Sequence, residues 1–420
     1  MCEKTNDAYT KAIKYLKTSP MFNLSLSSKE LFHSNFLYWL YIAKDNKEAF
    51  CSLLNVIGIT TDNWGNDWVV KREYLNFDLC VIGSNDKKEI LLAVIENKVK
   101  SIPTAEQLAK YNEKIKNKFE SDDKIPKILL SLTESDVEVD GWSYVSYKRI
   151  CEKLLESSFL SAFDDYEKRL ITDYAKFVQS LIILTEEWKS DAEDESNIFL
   201  LDYKERECKN EEESHDDTIP INKIYSKNPD KYRKAQELRI HDLYGKYRTT
   251  ILKEKLKGII DSKRFKTKLD ITPQIAYSNS LPILEIMIKG IGENKDEVKK
   301  KEAEAFFISI QGNQYRHAIN ARDEGNSIKE KRVSESVTKC EITTDWHWFM
   351  NPNKHPNTNT DCFPERLVNS GQRSKICSFA GRNGVNYIYQ YKKISPTATV
   401  GEILDIMVAD VENIIEKFNK

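Results

Sequence analysis

Phe77-Asp78-Leu79-Cys80-Val81-Ile82 and Ile90-Leu91-Leu92-Ala93-Val94-Ile95-Glu96-Asn97-Lys98 are apolar runs that carry charge only towards one end. The polar segment between them, Asn85-Asp86-Lys87-Lys88-Glu89, predicts an antiparallel hairpin. With Ser84 paired to Ile90, Asp78 falls opposite Glu96, and the two-residue period of a strand sets Glu96 and Lys98 on one face. A run as apolar as 90–95 belongs in the middle of a sheet, covered on both sides. Charge at the end of such a strand needs a reason other than packing. Two carboxylates are what Mg²⁺ takes from a protein, the other positions going to water and phosphate oxygens. Lys98 beside them is a donor and point charge. At its ordinary pKa of ~10.4 a lysine stays protonated, so an electrostatic role is expected rather than that of a base.

Working outward, helical periodicity covers 6–17, 27–44 and 47–57, followed by strands at 68–74, 77–82 and 90–99. A helix at 104–119, strands at 127–132 and 142–147, and helices at 148–156 and 167–188 complete the first half. A three-stranded meander followed by helix and strand predicts the α/β class, a mixed sheet flanked by helices.

Asp78 followed by Glu96-Asn97-Lys98 resembles the core of the PD-(D/E)XK phosphodiesterases, with Phe77 where the signature often has proline. Pro103-Thr104-Ala105-Glu106-Gln107-Leu108-Ala109-Lys110-Tyr111 is similar to the Gln-x-x-x-Tyr helix that follows the catalytic strand in many of these nucleases. Ser27 to Leu40 is similar to the first helix of one bacterial branch, which turns an acidic residue towards the metal, and Glu30 is the matching position. The resemblance covers roughly the first 150 residues. It implies a restriction-endonuclease-like fold and a Mg²⁺-dependent nuclease, Mn²⁺ able to substitute, with Asp78, Glu96 and Glu30 on the metal. Lys98 would orient the attacking water, and Gln107 and Tyr111 would place the scissile strand. DNA is the expected substrate ahead of RNA, and prokaryotic antiphage defence or restriction the expected setting. Structural readings stand beside these: Glu30 follows Ser27, and Gln107 follows Thr104, at capping-box spacing. A ribonuclease toxin and a catalytically silent nucleic-acid-binding or scaffold protein stay open as alternatives.

At 420 residues the chain has room for more than one domain. The start, Met1-Cys2-Glu3-Lys4-Thr5-Asn6-Asp7, lacks the pattern of a signal peptide, and no apolar run approaches the ~18 residues that span a bilayer. The eight cysteines form no C-x-x-C pair, so reduced thiols and a cytoplasmic protein without membrane contact are expected. Cys340, His347, His355, Cys362 and Cys377 share one stretch, but none lies within four residues of another, a spacing that argues against zinc.

The net charge of −2 hides an uneven distribution. Residues 186–217 are acidic and read as an exposed linker, placed at 191–222 between a nuclease domain over 1–190 and a second domain over 223–420. From Lys223 to Lys268 fifteen Lys and Arg face five Asp and Glu, a formal +10 that would attract a polyphosphate backbone. Tyr225, Tyr232, Tyr244 and Tyr247 are interleaved with them, and 229–261 reads as one helix with Leu238, Leu243, Ile251, Leu256 and Ile259 as core contacts. Strands at 266–276, 281–289, 305–311, 375–379 and 385–391 and a helix at 399–418 predict an α+β domain for binding substrate, sensing a trigger or oligomerising. A homo-oligomer or an activating protein partner stays open.

Overall fold

The computed structural model describes residues 2–25, 29–43, 47–65, 67–85, 88–103, 105–119, 125–132, 141–200, 229–278, 281–291, 305–323, 340–342, 377–380, 386–395 and 397–418. The chain divides into two compact units, Met1–Trp188 with Lys234–Leu243, and Lys189–Arg233 with Tyr244–Lys420.

The first unit begins with helices α1 (Cys2–Thr18), α2 (Pro20–Leu24), α3 (Glu30–Ile42) and α4 (Lys47–Val56). Strands β1 (Trp68–Tyr74), β2 (Phe77–Asn85) and β3 (Lys88–Asn97) form the expected antiparallel meander. Helix α5 (Ala105–Phe119) crosses over to β4 (Lys127–Ser131), which pairs with β3 in parallel, and β5 (Trp142–Ser146) pairs with β4 in parallel. The sheet order β1-β2-β3-β4-β5 makes it mixed, with β3 at its centre. Helices α6 (Tyr147–Leu154), α7 (Ser157–Leu160) and α8 (Asp165–Glu193) follow.

Burial explains why this sequence takes these positions. The second half of β3, from Ala93 to Asn97, is buried on both faces. Val94 packs with Cys80, Leu129, Leu108 and Ile115 in a core closed by α5, and each such side chain contributes about 1.5–3 kcal/mol. Helix α3 lies against β1, β2 and β3. The hairpin register departs from expectation near its tip, where Gly83 faces Ile90 and Ser84 faces Glu89. A bulge between Val81 and Ile82 shifts the ladder by one residue, and below it Leu79 pairs with Ile95. Asp78 therefore falls beside Glu96 as the alternation requires, although the pairing of Ser84 with Ile90 was one residue out.

The second unit is an antiparallel sheet of β6 (Leu269–Ser278), β7 (Leu281–Gly290), β8 (Phe306–Gln311), β9 (Gln314–Asp323), β10 (Cys340–Ile342), β11 (Cys377–Ala380) and β12 (Asn386–Lys393). The order is β11-β12-β9-β8-β7-β6, with β10 also on β9. Its core joins Leu252, Leu256 and Ile260 of α10 (His241–Lys263) and Ile403, Met407, Val411 and Ile414 of α11 (Val400–Phe418) to Leu284, Ile286 and Ile308 of the sheet.

The helix expected over 229–261 is two, α9 (Pro229–Glu237) and α10. Arg239 takes φ 57° between them, and the Ile240 amide bonds back to the Ala235 carbonyl, a Schellman-type ending without glycine. Leu238, Leu243, Ile251 and Leu256 are buried and Ile259 is partly buried against the core, as the periodicity required. Residues 191–200 of the acidic stretch are ordered: α8 continues to Glu193, and Phe199 and Leu200 join the second core. The rest of the expected linker, 201–222, lies outside the described residues.

Candidate nuclease active site

Asp78 sits at the second position of β2, just past a two-residue turn in which Leu75 and Asn76 have φ of 56° and 68°. Both values suit the primed turns that join tightly twisted hairpins. Glu96 is the penultimate residue of β3, and Lys98 follows the strand directly. The Asp78 amide donates to Glu96 Oε2 at 3.1 Å, and the Asn97 amide donates to Asp78 Oδ2 at 2.7 Å. Lys98 Nζ and the Tyr111 hydroxyl both donate to Glu96 Oε1, at 3.0 and 3.1 Å. Gln107 Nε2 donates to that hydroxyl at 3.0 Å, one turn away on α5. Five of the six expected site residues thus form one connected set, with Phe77 and Trp142 packed on the Tyr111 ring.

Glu30 stands apart from the pair. It opens α3, yet Lys29 is the N-cap residue and offers no side-chain cap; Ser27 lies outside the described residues, as does Thr104. Instead Glu30 Oε1 accepts from the amides of Lys100 and Ser101 at 2.9 and 2.8 Å, and the Ser101 hydroxyl reaches both of its oxygens. Glu30 therefore fastens the chain that leaves Lys98 while adding negative charge to the field at Asp78 and Lys98.

The electrostatics separate the groups. Burial, and then the neighbouring Glu96 charge, push the Asp78 carboxyl up to about 6, against the opposing pull of the Asn97 amide and Lys98. Burial works against the Lys98 ammonium, but the carboxylates of Glu96 and Glu30 outweigh it and hold its pKa above the ordinary value. Without a bound metal Lys98 is therefore held in its protonated form. Burial and the Glu96 charge likewise raise Tyr111, which stays a donor.

The part-buried Asp78 carboxyl beside the buried Glu96 carboxyl, whose charge disfavours ionisation of Asp78, fits a divalent cation, and no protein donor reaches Asp78 Oδ1 among the described residues. The all-oxygen pair suits Mg²⁺, which keeps much of its water shell. Among the described residues no three His, Cys, Asp or Glu side chains are grouped to hold a metal. Of the residues weighed for zinc, His347, His355 and Cys362, with the side chains of Cys340 and Cys377, lie outside the description.

The basic segment is turned inward more than its charge suggested. Tyr232, Tyr244 and Tyr247 are buried, as are Lys246 and Arg248, and Tyr225 lies outside the described residues. Arg248 lies 3.5 Å from Asp191, Lys255 pairs with Glu195 and Lys263 with Glu412, each at 2.7 Å. These tyrosines are core residues rather than stacking platforms. Lys257, Arg264, Lys266 and Lys268 stay exposed.

Comparison with protein families agrees with this geometry. Residues 21–308 match the PD-(D/E)XK nuclease superfamily, well over half of the chain and well past the first 150 residues. The chain belongs to that superfamily, a family of nucleases that generally use divalent metal ions. No curated protein and no solved structure matches it. Among the described residues no helix is long and apolar enough to cross a membrane.

Sequence reasoning missed the residues that hold the site in place. Ser101 and Phe77 are two, and Ser34, Asn97 and Tyr147 on the other face of β3 are three more. The alternation that set Glu96 and Lys98 together also set Asn97 on the buried opposite face, and that was the available signal.

Proposed function

We propose that this protein is a Mg²⁺-dependent nuclease that hydrolyses DNA phosphodiester bonds. The observation that carries the reading is the placement of Asp78 beside Glu96, with Lys98 Nζ 3.0 Å from Glu96 and buried with it. Asp78 and Glu96 would hold the cation, which when bound would polarise the scissile phosphate and offset its charge. Lys98, kept protonated, orients the attacking water and stabilises negative charge gained at phosphorus. Tyr111 and Gln107 fix Glu96 from the α5 side and present donors to the substrate strand. Glu30 fixes the Lys100–Ser101 backbone, so that the chain after Lys98 keeps one path. Exposed Lys257, Arg264, Lys266 and Lys268 are suited to backbone phosphates. DNA is taken ahead of RNA; prokaryotic antiphage defence or restriction follows from the family's usual company rather than from these residues, and a cytoplasmic setting from the scattered cysteines and the lack of a signal or spanning pattern.

The test is incubation of plasmid, linear duplex, single-stranded DNA and RNA with Mg²⁺, with Mn²⁺ and with chelator. Metal-dependent loss of DNA is expected. Cleavage of RNA alone would replace the substrate assignment, and metal-independent cleavage would overturn the site.

A further inference from the structure

Asn97 lies between Glu96 and Lys98 in sequence and points the other way. Its side chain is fully buried. Nδ2 donates to Ser34 Oγ of α3 at 2.6 Å, and Oδ1 accepts from the Tyr147 hydroxyl at the start of α6. Ser34 in turn donates to the Glu30 carbonyl at 3.3 Å. Nearby, the Tyr174 hydroxyl lies 2.8 Å from His33 Nδ1, and the His33 and Tyr147 ring centroids are 5.4 Å apart. All five side chains, His33, Ser34, Asn97, Tyr147 and Tyr174, have 0 % exposure, so each unmade hydrogen bond here would be costly. Burial drives the His33 imidazole down to about 3, and the network is neutral.

The backbone of the same residue faces the site. The described ladder between β2 and β3 ends at Leu79 and Ile95, and the next amide on that side, that of Asn97, bonds to the Asp78 side chain instead of to a strand. The direction of that N–H depends on the peptide plane, and the Asn97 side chain is gripped from α3 and from α6 just beyond it. We propose that Asn97 is a positioning residue. Its amide group, locked by Ser34 and Tyr147, aims its own backbone N–H at Asp78 and so sets the spacing of Asp78 and Glu96. The inference rests on the reading of that pair as a metal site. Few other residues serve: aspartate would bury a charge, leucine would take the acceptor from the Tyr147 hydroxyl and the donor from Ser34 Oγ, and serine is too short to reach both partners.

The experiment compares wild type with Ser34→Ala, Tyr147→Phe and Asn97→Ala, each removing one or both grips while leaving Asp78, Glu96 and Lys98 unchanged. Mn²⁺ affinity is measured by calorimetry on the full chain without substrate, and kcat and KM are measured on the nucleic acid that wild type cuts. Circular dichroism and thermal melting report the folded fraction. In fully folded Ser34→Ala and Tyr147→Phe, Mn²⁺ binding is expected to weaken about 10- to 100-fold, the range typical for lost partners of metal ligands. The loss in cleavage falls mainly on kcat, and Ser34→Thr, which keeps the hydroxyl, restores what Ser34→Ala loses. Lower melting temperatures with Mn²⁺ affinity and kcat per folded molecule unchanged would show a purely structural network and overturn the proposal. If wild type itself neither binds Mn²⁺ nor cleaves, the underlying reading fails and takes this one with it; a wild type that does both separates the two.

Discussion

Replacing Asp78 with asparagine should stabilise the metal-free protein at the same time as it removes activity. The Asp78 carboxyl titrates at about 6 instead of 3.8 because burial and the Glu96 charge both penalise its ionised form. A shift of about two pH units is worth about 3 kcal/mol at 1.36 kcal/mol per unit. Between pH 4 and 6 the folded protein holds a proton that the unfolded chain has released, so its stability falls as pH rises through that window and stays low above it. Asparagine carries no such penalty, and the shift is already net of the Asn97 amide's pull on the charged form, so nothing further is subtracted. The expected gain at pH 8 in chelator is about 3 kcal/mol, roughly 6–12 °C in Tm for a unit of this size. Below pH 4 wild-type Asp78 is protonated and the gain should vanish. Thermal melts of both proteins at pH 4 and pH 8 make the comparison. A variant no more stable than wild type at pH 8, or a gain equally large at pH 4, would refute the reasoning.

The other carboxylate should behave in the opposite sense. Glu96→Ala takes the Glu96 carboxylate away from the Lys98 ammonium, which is 7 % exposed, and should cost about 3–5 kcal/mol by urea unfolding in chelator, much of it recovered by adding Lys98→Met. Glu30→Ala releases the Lys100 and Ser101 amides, so their hydrogen exchange should accelerate at least about tenfold with a stability loss of about 1.5–3 kcal/mol. In the second unit Asp410 is the shared acceptor of His317 Nε2 at 2.5 Å and the Tyr315 hydroxyl at 2.9 Å, all three fully buried. Asp410→Ala should therefore lower its thermal stability by about 3 kcal/mol or more, with Asp410→Asn intermediate.

What could be read from the chain, and what could not, divides along physical lines. The hairpin that carries Asp78 and Glu96 was legible because β3 is apolar on both faces, so charge at its end had no packing explanation. The bulge that corrects its register left no mark, since Leu91, Leu92 and Ala93 read alike wherever the extra residue falls. Strand β9 was missed because Gln314, Arg316, His317 and Asn320 look like a loop, and His317 is tolerated inside only because Asp410 arrives from a helix more than 90 residues later. The break between α9 and α10 was invisible for a related reason, as Arg239 fills a left-handed position where a glycine would have announced the end. The charge of the basic segment was counted correctly but said nothing of direction, and several of its cations answer acids from 190–195 and from α11.

The most direct measurement is a Mn²⁺ titration paired with cleavage for wild type, Asp78→Asn and Lys98→Ala. Wild type should bind and cut. Asp78→Asn should lose binding and cutting together, and Lys98→Ala should bind but cut at least about a hundredfold more slowly. Retention of metal-dependent cleavage by folded Asp78→Asn would contradict the assignment of this pair of strands as the active site.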